Sequence, residues 1–192
     1  MADDALRAAL AVIETLRALD LDYLIGGSLA SSVHGIARST RDVDVAVDLP
    51  VDRVPALVAA LAERFYVDEE MATDAVARGG SFNVIHLETM FKVDLFVLGP
   101  DPMSRAELAR RQRYRLVADV PEVFVASAED TVLQKLLWYR KGNEISDRQW
   151  LDVVEVLRTQ GSRLDREYLG RWAHHLGVDD LLQEAVAEAR AD

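Results

Sequence analysis

A chain of 192 residues fits one medium domain, or one domain with a small appendage. Its 22 Lys and Arg against 33 Asp and Glu leave a formal charge of −11, which disfavours extended binding to nucleic acid or an anionic membrane but permits a small basic pocket. The absence of cysteine excludes disulfides, a thiolate zinc site and a cysteine nucleophile. The longest apolar stretches, such as 54–62, fall short of the about 18 residues that a membrane span needs. The acidic start Met1-Ala2-Asp3-Asp4 lacks the basic flank of a signal peptide, so a cytoplasmic protein without membrane association is expected.

The first segment, 5–19, carries Leu6, Leu10, Ile13, Leu16 and Leu19 at steps of three or four, the spacing of an amphipathic helix. Tyr23-Leu24-Ile25 predicts a buried strand stopped by Gly26-Gly27, and Ser28 can cap a helix reaching about His34. Val43 to Val47 predicts a second strand, and Pro55 suits the first turn of a helix reaching about Arg64. Strands at 82–87 and 91–98, joined by Glu88-Thr89-Met90, form an antiparallel hairpin in this reading. A helix at 105–112 and short strands at 114–117 and 123–125 follow. Beyond Ser127 the pattern is helical: Ser127 caps a helix to about Arg140, with further helices at 147–158, 165–174 and 179–190. Aromatic residues Trp138, Tyr139 and Trp150 are expected in its core, with stacking of one of them on a nucleotide base as the alternative. Two regions result, a mixed core over 1–126 and a helical region over 127–192.

Asp42 and Asp44 stand two apart at the start of a strand, so both carboxylates share one face while Val43, Val45 and Val47 take the other. Their repulsion is relieved by a divalent cation, or they are two charges on a solvent-facing strand end. Asp94 interrupts the apolar run Val93 to Val97, and if its strand lies beside the Asp42–Asp44 strand, three carboxylates converge on one point. An edge strand carrying Lys92 and Asp94 on its outer face is the plainer alternative. Gly26, Gly27 and Ser28 lie between a strand and a helix, where backbone amides and a hydroxyl can cradle a phosphate, or merely make a turn. Arg38 and Arg41 bring positive charge that clamps phosphates or neutralises the paired carboxylates. The four histidines, His34, His86, His174 and His175, form no metal-ligand spacing.

The run Gly26-Gly27-Ser28, then Arg38-Ser39-Thr40-Arg41-Asp42-Val43-Asp44, then the strand with Asp94, resembles the nucleotidyltransferase superfamily of polymerase beta-like fold. Glu129-Asp130 before a helix with Lys135, then Arg140, Ser146-Asp147-Arg148 and Asp152, resembles the abortive-infection (AbiEii-type) nucleotidyltransferase toxins and their uncharacterised relatives. The resemblance implies an α/β (α+β) fold, a mixed-sheet nucleotidyltransferase core with a C-terminal helical bundle. It implies a metal-dependent enzyme that moves a nucleoside monophosphate from an NTP such as ATP to a hydroxyl. Asp42 and Asp44 would bind two Mg²⁺ ions on the triphosphate. Asp94 would bind the second ion or take the acceptor's proton. The Gly27 amide and Ser28 would hold a phosphate oxygen, and Lys135 a β- or γ-phosphate. Asp152 would be an accessory catalytic residue, or pair with Arg148 on the helix surface. Within that class the resemblance favours a toxin-like enzyme whose acceptor is an RNA end such as tRNA, with a possible antitoxin protein as partner. A small molecule takes that place in aminoglycoside or lincosamide nucleotidyltransferases, whose cationic aminoglycosides suit an acidic surface better. A catalytically idle nucleotide-binding module is the reading from another class.

Overall fold

The computed structural model describes residues 2–37, 40, 42–117 and 120–191. Its elements run α1 (Ala2–Ala18), β1 (Tyr23–Ile25), α2 (Gly27–His34), β2 (Val43–Val47), α3 (Val54–Leu61), β3 (Phe65–Tyr66), α4 (Glu69–Arg78), β4 (Ser81–His86) and β5 (Lys92–Val97). They continue with α5 (Pro102–Arg110), β6 (Gln112–Tyr114), β7 (Val123–Val125), α6 (Ala128–Lys141), α7 (Asp147–Gln160), α8 (Arg166–Leu176) and α9 (Asp179–Ala191). The chain divides into two compact units, Met1–Gly26 with Ser39–Val125, and Gly27–Arg38 with Ala126–Asp192. None of the described helices is long and apolar enough to cross a membrane.

The first unit holds a mixed seven-stranded sheet in the order β3-β4-β5-β2-β1-β7-β6. β5 runs parallel to β2 and antiparallel to β4, so it lies inside the sheet and is not an edge strand. Alternation sets the two faces. Val43, Val45 and Val47 of β2, Val93 and Leu95 of β5, and Phe82 and Val84 of β4 are almost fully buried. Cross-strand partners such as Val45↔Leu95 and Val84↔Val93 put these side chains on one face. Helices α1, α3 and α4 pack together on this side, burying Val12, Leu16, Leu57, Leu61 and Ala72. Each such leucine withdrawn from water stabilises the fold by roughly 1.5–3 kcal/mol. Residues Asp44 and Ala46 of β2, with Asp94 of β5, alternate onto the other face and stay partly exposed.

Several elements depart from expectation. The segment between Leu61 and Ser81 holds β3 and α4, which the hydrophobic pattern does not announce. Asp68 caps α4 by accepting from the Met71 amide at 2.9 Å, and Gly79 ends it at φ 63°. Helix α5 starts and ends earlier than expected, because the Asp101 carboxylate accepts from the Met103 and Ser104 amides. The strand expected at 114–117 sits at β6, three residues upstream of that run's end.

In the second unit, α2 packs on α6 and α7. A Cβ on Gly35 would lie 3.1 Å from the Ser31 carbonyl and 3.2 Å from the Val156 nitrogen, so the end of α2 meets the α7 backbone closely enough that a side chain there would have to push it by a few tenths of an ångström. His34 is 1% exposed, with Nε2 2.7 Å from the Ala126 carbonyl, and its own carbonyl accepts from Gln160 at 2.6 Å. Helix α6 begins as expected: the Ser127 hydroxyl oxygen accepts from the Asp130 amide at 3.1 Å. Trp138 departs from the expected core, being 48% exposed with Lys141 Nζ 5.1 Å from its ring centre, while Tyr139 and Trp150 meet at 5.3 Å between centroids.

Candidate active site

Strand pairing does for the carboxylates what spacing alone leaves open. β2 and β5 are adjacent and parallel, and Asp44 stands directly opposite Asp94 in their register. Asn83 of β4 is opposite Asp94 on the other side. Asp42 precedes β2 by one residue and falls on the Asp44 face by the two-residue period. Thr40 Oγ1 lies 3.1 Å from Asp42 Oδ1 and donates to the Asp42 carbonyl at 2.8 Å. A row of partly exposed acidic side chains therefore runs across the face of the sheet opposite its apolar one.

Among the described residues Lys92 brings a cation to this row, and the sequence marks it only as an outward neighbour of Asp94. Its Nζ is 2.7 Å from Asp94 Oδ2, with the lysine side chain 46% and the aspartate 19% exposed. The hydrogen bond to Asp94 holds the ammonium's pKa above its ordinary value, and the charges of Asp94, Asp42 and Asp44 add to that effect. All three carboxylates thus act on the Lys92 ammonium. Among the described residues no group of three or more Asp, Glu or His side chains stands, as placed, so that it could hold a metal ion. The donor set nonetheless suits a hard divalent ion: oxygen ligands only, on neighbouring strands, with a lysine now balancing part of their charge.

The glycine turn divides its labour. Gly26 donates its amide to the Asp44 carbonyl at 2.9 Å, which ties the turn to β2 and leaves no free N–H there for a phosphate. In this arrangement the Gly26 amide serves the turn. Gly27 opens α2 at φ 55°, a left-handed conformation that favours glycine. Ser28 follows within the helix and is half-buried. Arg38 and Arg41 lie outside the described residues.

Two further expectations change in the second unit. Lys135 is buried, and its Nζ is 2.8 Å from Asp152 Oδ2, with side chains only 8% and 6% exposed. Its ammonium is committed to a buried pair inside the helical unit, so it does not stand open as a phosphate ligand. Asp152 correspondingly lies inside, joined to α6, and not on the helix surface in a simple pair with Arg148. Helical spacing alone reveals an i,i+4 neighbour but not a partner on another helix. Nearby lies a second polar cluster that the sequence does not reveal beyond its cap. Ser127 Oγ donates to Asp130 Oδ2 at 2.6 Å, Tyr168 donates its hydroxyl to Asp130 Oδ1 at 2.6 Å, and Glu129 accepts from the Asp165 amide at 2.8 Å.

No protein-family model matches the sequence, and no curated protein matches it. Solved structures do match. The antibiotic-resistance factor ANT(2'')-Ia, in solution, is similar at a TM-score of 0.59 and 14% identity, over 96% of this chain and 97% of that one. The same enzyme in complex with adenylyl-2''-tobramycin gives 0.57 at 14% identity, over 89% and 95%. An antigenic nucleotidyltransferase-like protein from Paracoccidioides brasiliensis gives 0.55 at 18% identity, over 98% and 94%. The lincosamide antibiotic adenylyltransferase LnuA, bound to lincomycin, gives 0.50 at 11% identity, over 78% and 94%. The fold is that of nucleotidyltransferases, as the order of glycine turn, paired aspartates and third aspartate implies.

Proposed function

We propose that this chain is a divalent-metal-dependent nucleotidyltransferase that moves a nucleoside monophosphate from an NTP to a hydroxyl of a small-molecule acceptor. The observation that carries the reading is the register of Asp44 opposite Asp94 on adjacent parallel strands, with Asp42 on the same face. In this assignment Asp42 and Asp44 would hold the ions, and Asp94 would complete their set and receive the acceptor's proton. Bound Mg²⁺, two ions by the resemblance, supplies positive charge for the triphosphate and the departing pyrophosphate. The acceptor oxygen attacks the α-phosphorus, the bond from that phosphorus to the β-phosphate bridge breaks, and pyrophosphate leaves. Asp94 takes the hydroxyl proton as the new bond forms. Gly27 and Ser28 keep the phosphate contact implied by the glycine-serine turn.

Two observations favour a small acceptor over an RNA end. The formal charge of −11 opposes an extended polyanion and attracts a cation. Two of the similar structures hold an antibiotic or its adenylylated product. Pyrophosphate release from each NTP with Mg²⁺, measured against aminoglycosides, lincosamides and total tRNA, separates the readings. Release that requires one small molecule, and that falls at least about a hundredfold in Asp44→Asn, is the expected result, since several kcal/mol of charge stabilisation depend on the ion. Release with tRNA alone would instead make the chain an RNA-modifying enzyme, with a toxin and its antitoxin as the context to test. Magnesium-independent NTP binding without turnover would return it to an idle binding module.

A further inference from the structure

Lys92 has a place in the site that neither the resemblance nor the carboxylate chemistry assigns. It lies two residues before Asp94 on β5, hence on the same face, and its Nζ is 2.7 Å from Asp94 Oδ2. Asp94 is held from both sides by the sheet, opposite Asp44 on β2 and Asn83 on β4. Lys92 differs: nearly half of its side chain is in solvent, and its four-carbon stem can swing while the strand stays fixed. We infer that Lys92 is a resident counter-cation, which occupies Asp94 in the nucleotide-free protein and is displaced when a divalent ion loads.

The inference rests on the metal reading of Asp42, Asp44 and Asp94 proposed above. The ammonium on Asp94 Oδ2 already draws on the negative charge that an incoming ion would use, even though the carboxylate has a second oxygen to offer. Two cations cannot share the position without repulsion. Every ion that binds therefore does so against Lys92, and the apparent affinity is lower than the three carboxylates alone would give. A partly exposed pair of this kind biases the equilibrium by only a few-fold. The effect is consequently a tuning of metal affinity, read directly in the absence of substrate.

The test is Mn²⁺ binding to the nucleotide-free full chain, followed by the electron paramagnetic resonance signal of the free ion, for wild type, Lys92→Met, Lys92→Arg and Asp44→Asn. Lys92→Met is expected to bind Mn²⁺ at least about threefold more tightly, because the competing charge is gone. Lys92→Arg keeps a cation and is expected to stay near wild type. Asp44→Asn is expected to bind more weakly. A Lys92→Met protein that binds no more tightly than wild type, while Asp44→Asn weakens binding, overturns the role of Lys92 and leaves the metal site standing. Binding indifferent to Asp44→Asn overturns the metal reading itself and the inference with it. Lys92 is substantially exposed, so thermal unfolding of Lys92→Met is expected to match wild type and to confirm that the variant is folded.

Discussion

Lysines 92 and 135 show how the same residue type acquires opposite meanings. Lys92 pairs with Asp94 at a partly open strand face, whereas Lys135 pairs with Asp152 where both side chains are almost wholly removed from water. A buried pair contributes little net stability, yet breaking it leaves an ionised group without its partner. Lys135→Met is therefore expected to cost about 3–5 kcal/mol, visible as a large fall in unfolding temperature, and the double variant Lys135→Met/Asp152→Leu is expected to recover most of it. Recovery of stability without recovery of transfer would return Lys135 to the chemistry. At this scale the sequence announces the three aspartates, because an ionisable residue inside an apolar strand is conspicuous. It does not announce the Lys135–Asp152 pair, whose members are 17 residues apart and meet only when α6 and α7 pack.

Elements are legible where a strong period or cap marks them and silent where partners make them. β2 is plain from its alternating valines, and α6 from the cap at Ser127. β3 has two residues, so it exists only through its pairing with β4, and α4 buries little beyond Ala72 and Ala75. The role of α2 is similarly hidden, because His34 at its end is held by the Ala126 carbonyl and lies wholly inside. Burial lowers the pKa of His34 from 6.5, with the Ala126 hydrogen bond and the charge of Glu129 opposing that shift. As the pH falls, the unfolded chain takes the proton before the folded one does. The stabilisation linked to neutral His34 is thus complete above about 6.5 and is lost as the pH falls below it, towards the lowered folded value. Urea unfolding midpoints between about pH 7.5 and 5 should fall more steeply in wild type than in His34→Gln, which keeps an N–H donor without the titration. Equal slopes would place the pH sensitivity elsewhere.

For the whole molecule, the sequence states what kind of site is present better than how the chain is partitioned. The carboxylate row follows from period and order, but its closure needs the parallel pairing of β2 with β5, a contact between residues 50 positions apart, as in Asp44↔Asp94. Partition is less legible still, because residues 27–38 join 126–192 in one unit while 39–125 join 1–26 in the other. A fragment ending at residue 126 would retain α2 but lose α6 and α7, exposing Ala30, Ser31 and His34. It is expected to aggregate or to exchange its α2 amides rapidly, whereas a protected α2 in that fragment would show that the helix needs neither partner. The interleaving has a consequence for the gene as well as the protein. No single crossover point in the coding sequence can exchange one unit and keep the other whole. A recombinant that swaps only the tail inherits a foreign set of helices for its own α2 to fit, so the glycine at position 35 and its counterpart surface must travel together or be re-matched by later substitution.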